Sequence, residues 1–335
     1  MSFPSSDSSP SANGRGAEPA RPLVVMKFGG TSVGRPERMQ QVVQIVKQRA
    51  AAGRPVVVAS ALSGVTRQIG AALDDVAADR LDPAQAAEAM RRRHTEQAAD
   101  VLPPEGRARY SRTLERELKC YAAALRQGTR GGASPALRDR VLATGELCSV
   151  PLLVEVLRTA GVNAVYGVSA ELFVTDDAFG GARVDLDATA RNVRGWVNGC
   201  ADGAVPVLAG YVGRTPGGRT TTLGFEGSDY SAALVSAFLG ADAFERWTDV
   251  DGLYTAAPNT DPTAERIDEL TMEQAARLNA EGGLGMHPKA LRPLLDAGIL
   301  ARIRCTTQPE GAGTRIRPEG VLVEDDFPVS EAASS

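Results

Sequence analysis

The chain has 335 residues, 43% apolar and 23% charged, which is the balance of a soluble globular protein long enough for one large α/β domain or two smaller ones. A formal net charge of -4 and a pI near 5.5 give no basic field, which argues against nucleic acid as a partner. Four cysteines without a CxxC pair and two histidines in no shared motif argue against a disulfide frame, a zinc site and a Ser-His-Asp triad; the cysteines read as buried thiols.

Residues Met1 to Arg21 are rich in Ser, Pro, Ala and Gly and read as a disordered tail. No signal peptide is recognisable there, and no later apolar run approaches the roughly 18 to 20 residues of a membrane span, so the cytoplasm is the expected compartment. PLVVMKF at Pro22 to Phe28 is a continuous apolar run, as expected of a strand buried on both faces of a parallel sheet. Met39, Val42, Val43 and Val46 then fall on one helical face behind Pro36, and RPVVVAS at Arg54 to Ser60 is a second buried strand, so the opening is a βαβ unit. From about Asp74 to Gln127 the pattern is helical, with Arg91, Arg92 and Arg93 on a solvated face. Further strands are expected near Asn163, Val205, Phe244 and Leu300, and a second tail from Pro318. There is no internal repeat and no linker between Pro22 and Arg317, so one α/β domain over 22–317 is expected.

Two glycine loops carry the functional signal. KFGGTSVG at Lys27 to Gly34 leaves a buried strand, passes two adjacent glycines and enters a helix, an arrangement that suits either a phosphate cradle or an ordinary tight turn. Lys27 precedes the glycines, so this is not the GxxxxGK[ST] loop. In LGFEGSDYSAAL at Leu223 to Leu234, Gly224 and Gly227 flank a turn, Ser228 is placed to cap a helix, and Asp229 lies in its first turn. Asp229 as a simple cap is the plainer reading; two such junctions in one domain favour a site.

Together with SALSGVT at Ser60, TGE at Thr144, VTDDAFGGARVD at Val174, GRTTTLG at Gly218 and WTDVDG at Trp247, these loops resemble the catalytic domain of aspartate kinases in the amino-acid kinase superfamily, over about Leu23 to Ile316. The resemblance implies a three-layer αβα sandwich around a mostly parallel sheet, and phosphoryl transfer from MgATP to the side-chain carboxylate of aspartate. It implies that Lys27 balances charge on the transferring group, that Asp229 organises the site with it, and that Phe28, Gly29, Gly30, Thr248, Asp249 and Tyr254 belong to the nucleotide pocket. It assigns Thr66, Glu146, Tyr211, Gly227 and Ser228 to the amino acid, with Glu146 pairing its ammonium. No metal ligands are expected beyond Mg2+ carried by ATP, and a homodimer is the expected assembly. The family's two small regulatory domains are expected to be absent, because the chain stops at Ser335.

Departures from the family pattern accompany the likeness. GRGGSD or GREGSD becomes GFEGSD, so Phe225, beside Glu226, replaces the arginine that clamps a substrate carboxylate. TADPR becomes TAAPN, ending in Asn259, and GAKVLHP becomes GGLGMHP, with Leu284 and Gly285 in place of a lysine-bearing segment. Three cations are lost, each worth about 1.5 to 3 kcal/mol in a charge-assisted hydrogen bond. Arg214, Arg219, Lys289 and Arg292 are the candidate replacements. The reading is an aspartate-kinase-like enzyme with an altered acceptor clamp; the alternative is a pseudokinase acting as a binding or partner subunit.

Overall fold

Strand β1 (Leu23–Phe28) is followed by a four-residue helix α1 (Gly30–Val33), helix α2 (Pro36–Ala52) and strand β2 (Arg54–Ala59). Next come α3 (Val65–Ala77), α4 (Pro83–Val101), α5 (Pro104–Gly128), α6 (Pro135–Leu142) and α7 (Thr144–Thr159). The middle of the chain holds β3 (Ala164–Gly167), α8 (Ser169–Leu172), α9 (Leu186–Asn198), β4 (Val205–Ala209), the hairpin β5 (Val212–Arg214) and β6 (Thr220–Thr222), and α10 (Gly227–Leu239). The remainder is β7 (Ala243–Thr248), β8 (Leu253–Tyr254), β9 (Arg266–Ile267), β10 (Glu269–Thr271), α11 (Met272–Ala280), α12 (Pro288–Ala297), β11 (Leu300–Cys305) and β12 (Thr314–Arg317). These elements come from a computed structural model that describes residues 21–129, 132–255, 261, 263–280 and 288–318.

The main sheet has eight strands in the order β10-β12-β11-β7-β1-β2-β4-β3. The pairings from β11 through β3 are parallel, and β12 runs antiparallel to β11. Alternation in β1 sorts its side chains between two cores. Val24, Met26 and Phe28 pack on the face covered by α2, α3, α4, α5 and α7, while Val25 packs on the face covered by α9, α10 and α12. The result is the three-layer αβα sandwich.

The helical run expected from Asp74 to Gln127 is broken into three helices, at Asp82-Pro83 and again at Pro103-Pro104. Proline fits the first helical turn, where its missing N–H is an orphan in any case. Asp82 caps α4 by accepting from the backbone N–H groups of Ala84 and Gln85. The thiols divide: Cys148 and Cys305 are buried, but Cys120, expected inside, lies exposed on α5. Arg21, the last residue of the expected tail, donates to the carbonyls of Ala50 and Ala51 at the end of α2.

The order places β1 between β7 and β2, so neighbouring connections leave the sheet in opposite directions. A crevice opens at the carboxyl ends of such strands, and the loops after β1, β2, β4 and β7 meet there.

Candidate active site

Those loops enclose a cavity of about 740 Å³. Lys27 and Arg246 occupy paired positions on β1 and β7, on the face covered by α10. Both reach Asp229: Lys27 Nζ donates to Oδ2 at 2.9 Å and Arg246 Nε to Oδ1 at 3.1 Å. Lys27 and Asp229 are buried, at 6% and 3% exposure. Burial pushes the Asp229 carboxyl up, but the charges of Lys27 and Arg246 and their hydrogen bonds outweigh it and hold it below the ordinary carboxylate range. Asp229 also sits in the first turn of α10, where the helix dipole favours an anion.

The loop after β1 is packed tightly against its neighbours. A Cβ on Gly30 would come within 2.8 Å of the Ala61 carbonyl, and one on Gly29 would lie 3.7 Å from Lys27 Nζ. Gly29 N–H donates to Trp247 O, tying the loop to the end of β7. The loop enters a helix as expected, but one of only four residues; α2 starts separately at Pro36. Below the loop, Trp247 stacks on Phe28 and donates from Nε1 to Glu245, which pairs with Arg49. The Phe28 side chain is thus part of the core and lies off the cavity wall.

Glu146 stands on the opposite wall. Gly145 lets α7 approach the loop after β2, since a Cβ there would lie 2.9 Å from that of Ala61, and Ser149 Oγ fixes the approach by donating to Ser60 O at 2.8 Å. The Glu146 carboxyl is 3% exposed, and its Oε2 has no hydrogen-bond partner among the described residues. Burial raises its pKa to about 7, although hydrogen bonds from the backbone of Ala61 and of Glu146 itself, and the charge of Lys27, act to lower it. A buried carboxylate with a vacant lone pair is complementary to a cation supplied from outside.

Between these walls lie Thr66, Tyr211, Phe225, Glu226, Gly227 and Ser228, with Thr248 and Asp249 at the mouth. Tyr211 has φ of 71°, and its backbone N–H donates to Ser231 Oγ. Glu226, with φ of 52°, rather than Ser228, holds the N-cap position of α10; Ser228 lies inside the first turn. Gly210 packs against Ser228, where a Cβ at 210 would sit 2.6 Å from Ser228 Cβ. Phe225 is 80% exposed on the rim. Tyr254 donates to Asp251 and is not on the cavity wall. Asn259, Leu284 and Gly285 lie outside the described residues.

The cations on the wall differ from those proposed as replacements. Arg214 bonds Gly218 O, Arg219 pairs with Asp177, Arg292 pairs with Asp296, and Lys289 lies over the Tyr230 ring; none of the four lines the cavity. Arg246 and Arg138 do. Asp139 was also missed. Its carboxylate accepts from Gly180 N, Thr222 N and Thr222 Oγ1, all at 2.8 to 3.0 Å, clamping the loop before α9 to the β5–β6 hairpin. An acid one helical turn before TGE was its only trace in the sequence.

Comparison with known proteins agrees with this architecture. The profile of the amino acid kinase family matches residues 22–305. The chain is 33% identical over 297 residues to lysine-sensitive aspartokinase 3 of Escherichia coli (strain K12), covering 88% of this chain and 64% of that protein. It is 30% identical to an aspartokinase of Candida albicans, covering 89% of this chain and 57% of that one. The crystal structure of E. coli aspartokinase III in complex with aspartate and ADP (R-state) superposes with a TM-score of 0.81 at 31% identity, over 90% of this chain and 65% of the other. The chain thus spans a little under two thirds of the relatives' length.

Proposed function

The chain belongs to the amino acid kinase family, and on that premise we propose that it moves the γ-phosphoryl group of ATP to the side-chain carboxylate of aspartate or a closely related acidic amino acid. One observation carries the reading: the buried Glu146 carboxyl, whose Oε2 has no hydrogen-bond partner among the described residues, shares a cavity with the Lys27–Asp229–Arg246 cluster. An amino acid fits between them, with its ammonium on Glu146 and its reacting carboxylate toward Lys27.

An acceptor carboxylate is already a nucleophile at neutral pH and needs positioning and charge neutralisation more than a base. One carboxylate oxygen bonds to the γ-phosphorus while the bond to the β,γ-bridging oxygen breaks, and ADP leaves with that electron pair. Lys27 and Arg246 face the added negative charge, and Asp229 holds both in place until phosphate competes for them. Mg2+ bound with the nucleotide would offset phosphate charge, and Asp229 and Asp249, both on the cavity wall, are acidic groups that would hold it. Gly29 keeps the backbone beside Lys27 Nζ free of a side chain, and Gly30 lets the loop pack against the Ala61 carbonyl.

A second reading, a pseudokinase serving as a binding or partner subunit, is favoured by Phe225, which puts an uncharged ring on the cavity rim. Calorimetric titration with MgADP, then with aspartate, followed by an assay of aspartate-dependent ADP release from MgATP, separates the two. Binding of both ligands with turnover supports the kinase. Nucleotide binding without turnover on any acidic amino acid supports the second reading.

A further inference from the structure

Of the two unanticipated cations on the wall, Arg246 is hydrogen-bonded to Asp229, whereas Arg138 lines the same cavity as Glu146 and Tyr211. It projects from α6, one residue before Asp139, which is locked to Gly180 and Thr222. That lock fixes the helix turn bearing Arg138 relative to the Tyr211 and Phe225 side of the wall. Arg138 forms a two-point ion pair with Asp74 of α3, Nη1 to Oδ1 at 2.8 Å and Nη2 to Oδ2 at 3.2 Å. A guanidinium has five N–H donors in a flat fork, so this end-on pair leaves the Nε edge to bind a second carboxylate side-on. The Arg138 side chain is 42% exposed, so it can turn toward the cavity without breaking a packed core.

Tyr211, on the same wall, feels the charges of both Glu146 and Arg138. Burial pushes its phenol up to about 12, Glu146 and Asp139 push in the same direction, and Arg138 opposes them. Glu146 Oε2 and the Arg138 guanidinium, on the wall of the cavity that Tyr211 also lines, offer one anionic and one cationic group to the same ligand. An ammonium and a carboxylate borne on one carbon have this pattern of charge.

We propose that Arg138 is a specificity-determining residue that binds the non-reacting carboxylate of the amino-acid acceptor opposite Glu146. The proposal rests on the amino-acid kinase reading above. On that reading Arg138 takes the α-carboxylate while Glu146 takes the ammonium, which leaves the side-chain carboxylate to face Lys27.

The test is steady-state kinetics on the full chain with aspartate and MgATP, comparing wild type with Arg138→Gln, Arg138→Lys and Arg140→Gln. Arg140 lies exposed on the same helix and off the cavity wall, so its loss removes the same charge without the contact. Arg138→Gln should raise the aspartate KM about tenfold or more, with kcat and the MgATP KM within about threefold. Arg138→Lys should fall between it and wild type, and Arg140→Gln should match wild type. Melting temperatures of all four proteins identify any variant that fails to fold, and the lysine variant then carries the comparison. An unchanged aspartate KM in folded Arg138→Gln, or an equal rise in Arg140→Gln, overturns the assignment while leaving the kinase reading intact. Absence of aspartate-dependent turnover in wild type overturns both.

Discussion

Lys27 and Arg246 stand side by side on adjacent parallel strands, and both hydrogen-bond the carboxylate of Asp229. Lys27→Met should therefore lower phosphoryl transfer by about a thousandfold or more, as expected for loss of a charge at the transferring group, while the fold survives because Asp229 keeps Arg246. Transfer assays and circular dichroism on the purified variant check both halves.

Asp229→Ala should behave differently. It leaves two buried cations facing each other, and breaking a buried pair in this way costs about 3 to 5 kcal/mol. The carboxyl has a folded pKa held below its ordinary 3.8, so its contribution is complete above about pH 4 and disappears as pH falls through the folded value. Urea unfolding at pH 7 should show the full loss, and the gap from wild type should narrow toward pH 3.

Glu146 carries the opposite sign. Its folded pKa of about 7 exceeds the ordinary 4.5, so the folded state binds more protons and the ionised form is penalised above that range. The penalty is absent below about pH 4.5, grows between 4.5 and 7, and reaches about 3 kcal/mol at higher pH. Glu146→Gln should thus gain melting temperature relative to wild type at pH 8 compared with pH 5. Because only the carboxylate can hold an ammonium, wild-type affinity for aspartate should fall about tenfold from pH 8 to pH 6. A pH-independent affinity would remove Glu146 from the amino-acid site.

At the rim, Phe225→Arg combined with Glu226→Gly should strengthen aspartate binding by about tenfold to a hundredfold, through a new bidentate donor. Phe225 is exposed, so no core packing is lost, and glycine relieves the left-handed backbone at position 226, worth up to about 1 kcal/mol. Glu226→Gly alone should raise the melting temperature and leave aspartate affinity unchanged.

The first βαβ unit was readable because β1 and β2 are continuous apolar runs, and the α/β class followed from the alternation of strands and helical periods, while the three-layer sandwich came from the family resemblance. Glycine loops pointed to Lys27 and Asp229, and the resemblance carried by TGE pointed to Glu146; all three line one cavity. Arg246 and Arg138 were not found, because each owes its place to a partner remote in sequence. Arg246 points at Asp229 by virtue of its register opposite Lys27, and Arg138 reaches the cavity because Asp139 anchors its helix to residues some forty and eighty positions later. The expected Ser228 cap is not found because the helix starts one residue earlier, at Gly227 behind a left-handed Glu226.

The central claim is transfer to a carboxylate, and trapping the product tests it most directly. Purified chain incubated with MgATP, aspartate and hydroxylamine should form aspartyl hydroxamate in proportion to ADP, and Lys27→Met should form none. Stoichiometric ADP without hydroxamate, or no reaction with aspartate or any related acidic amino acid by protein that is folded and binds MgATP, would contradict it.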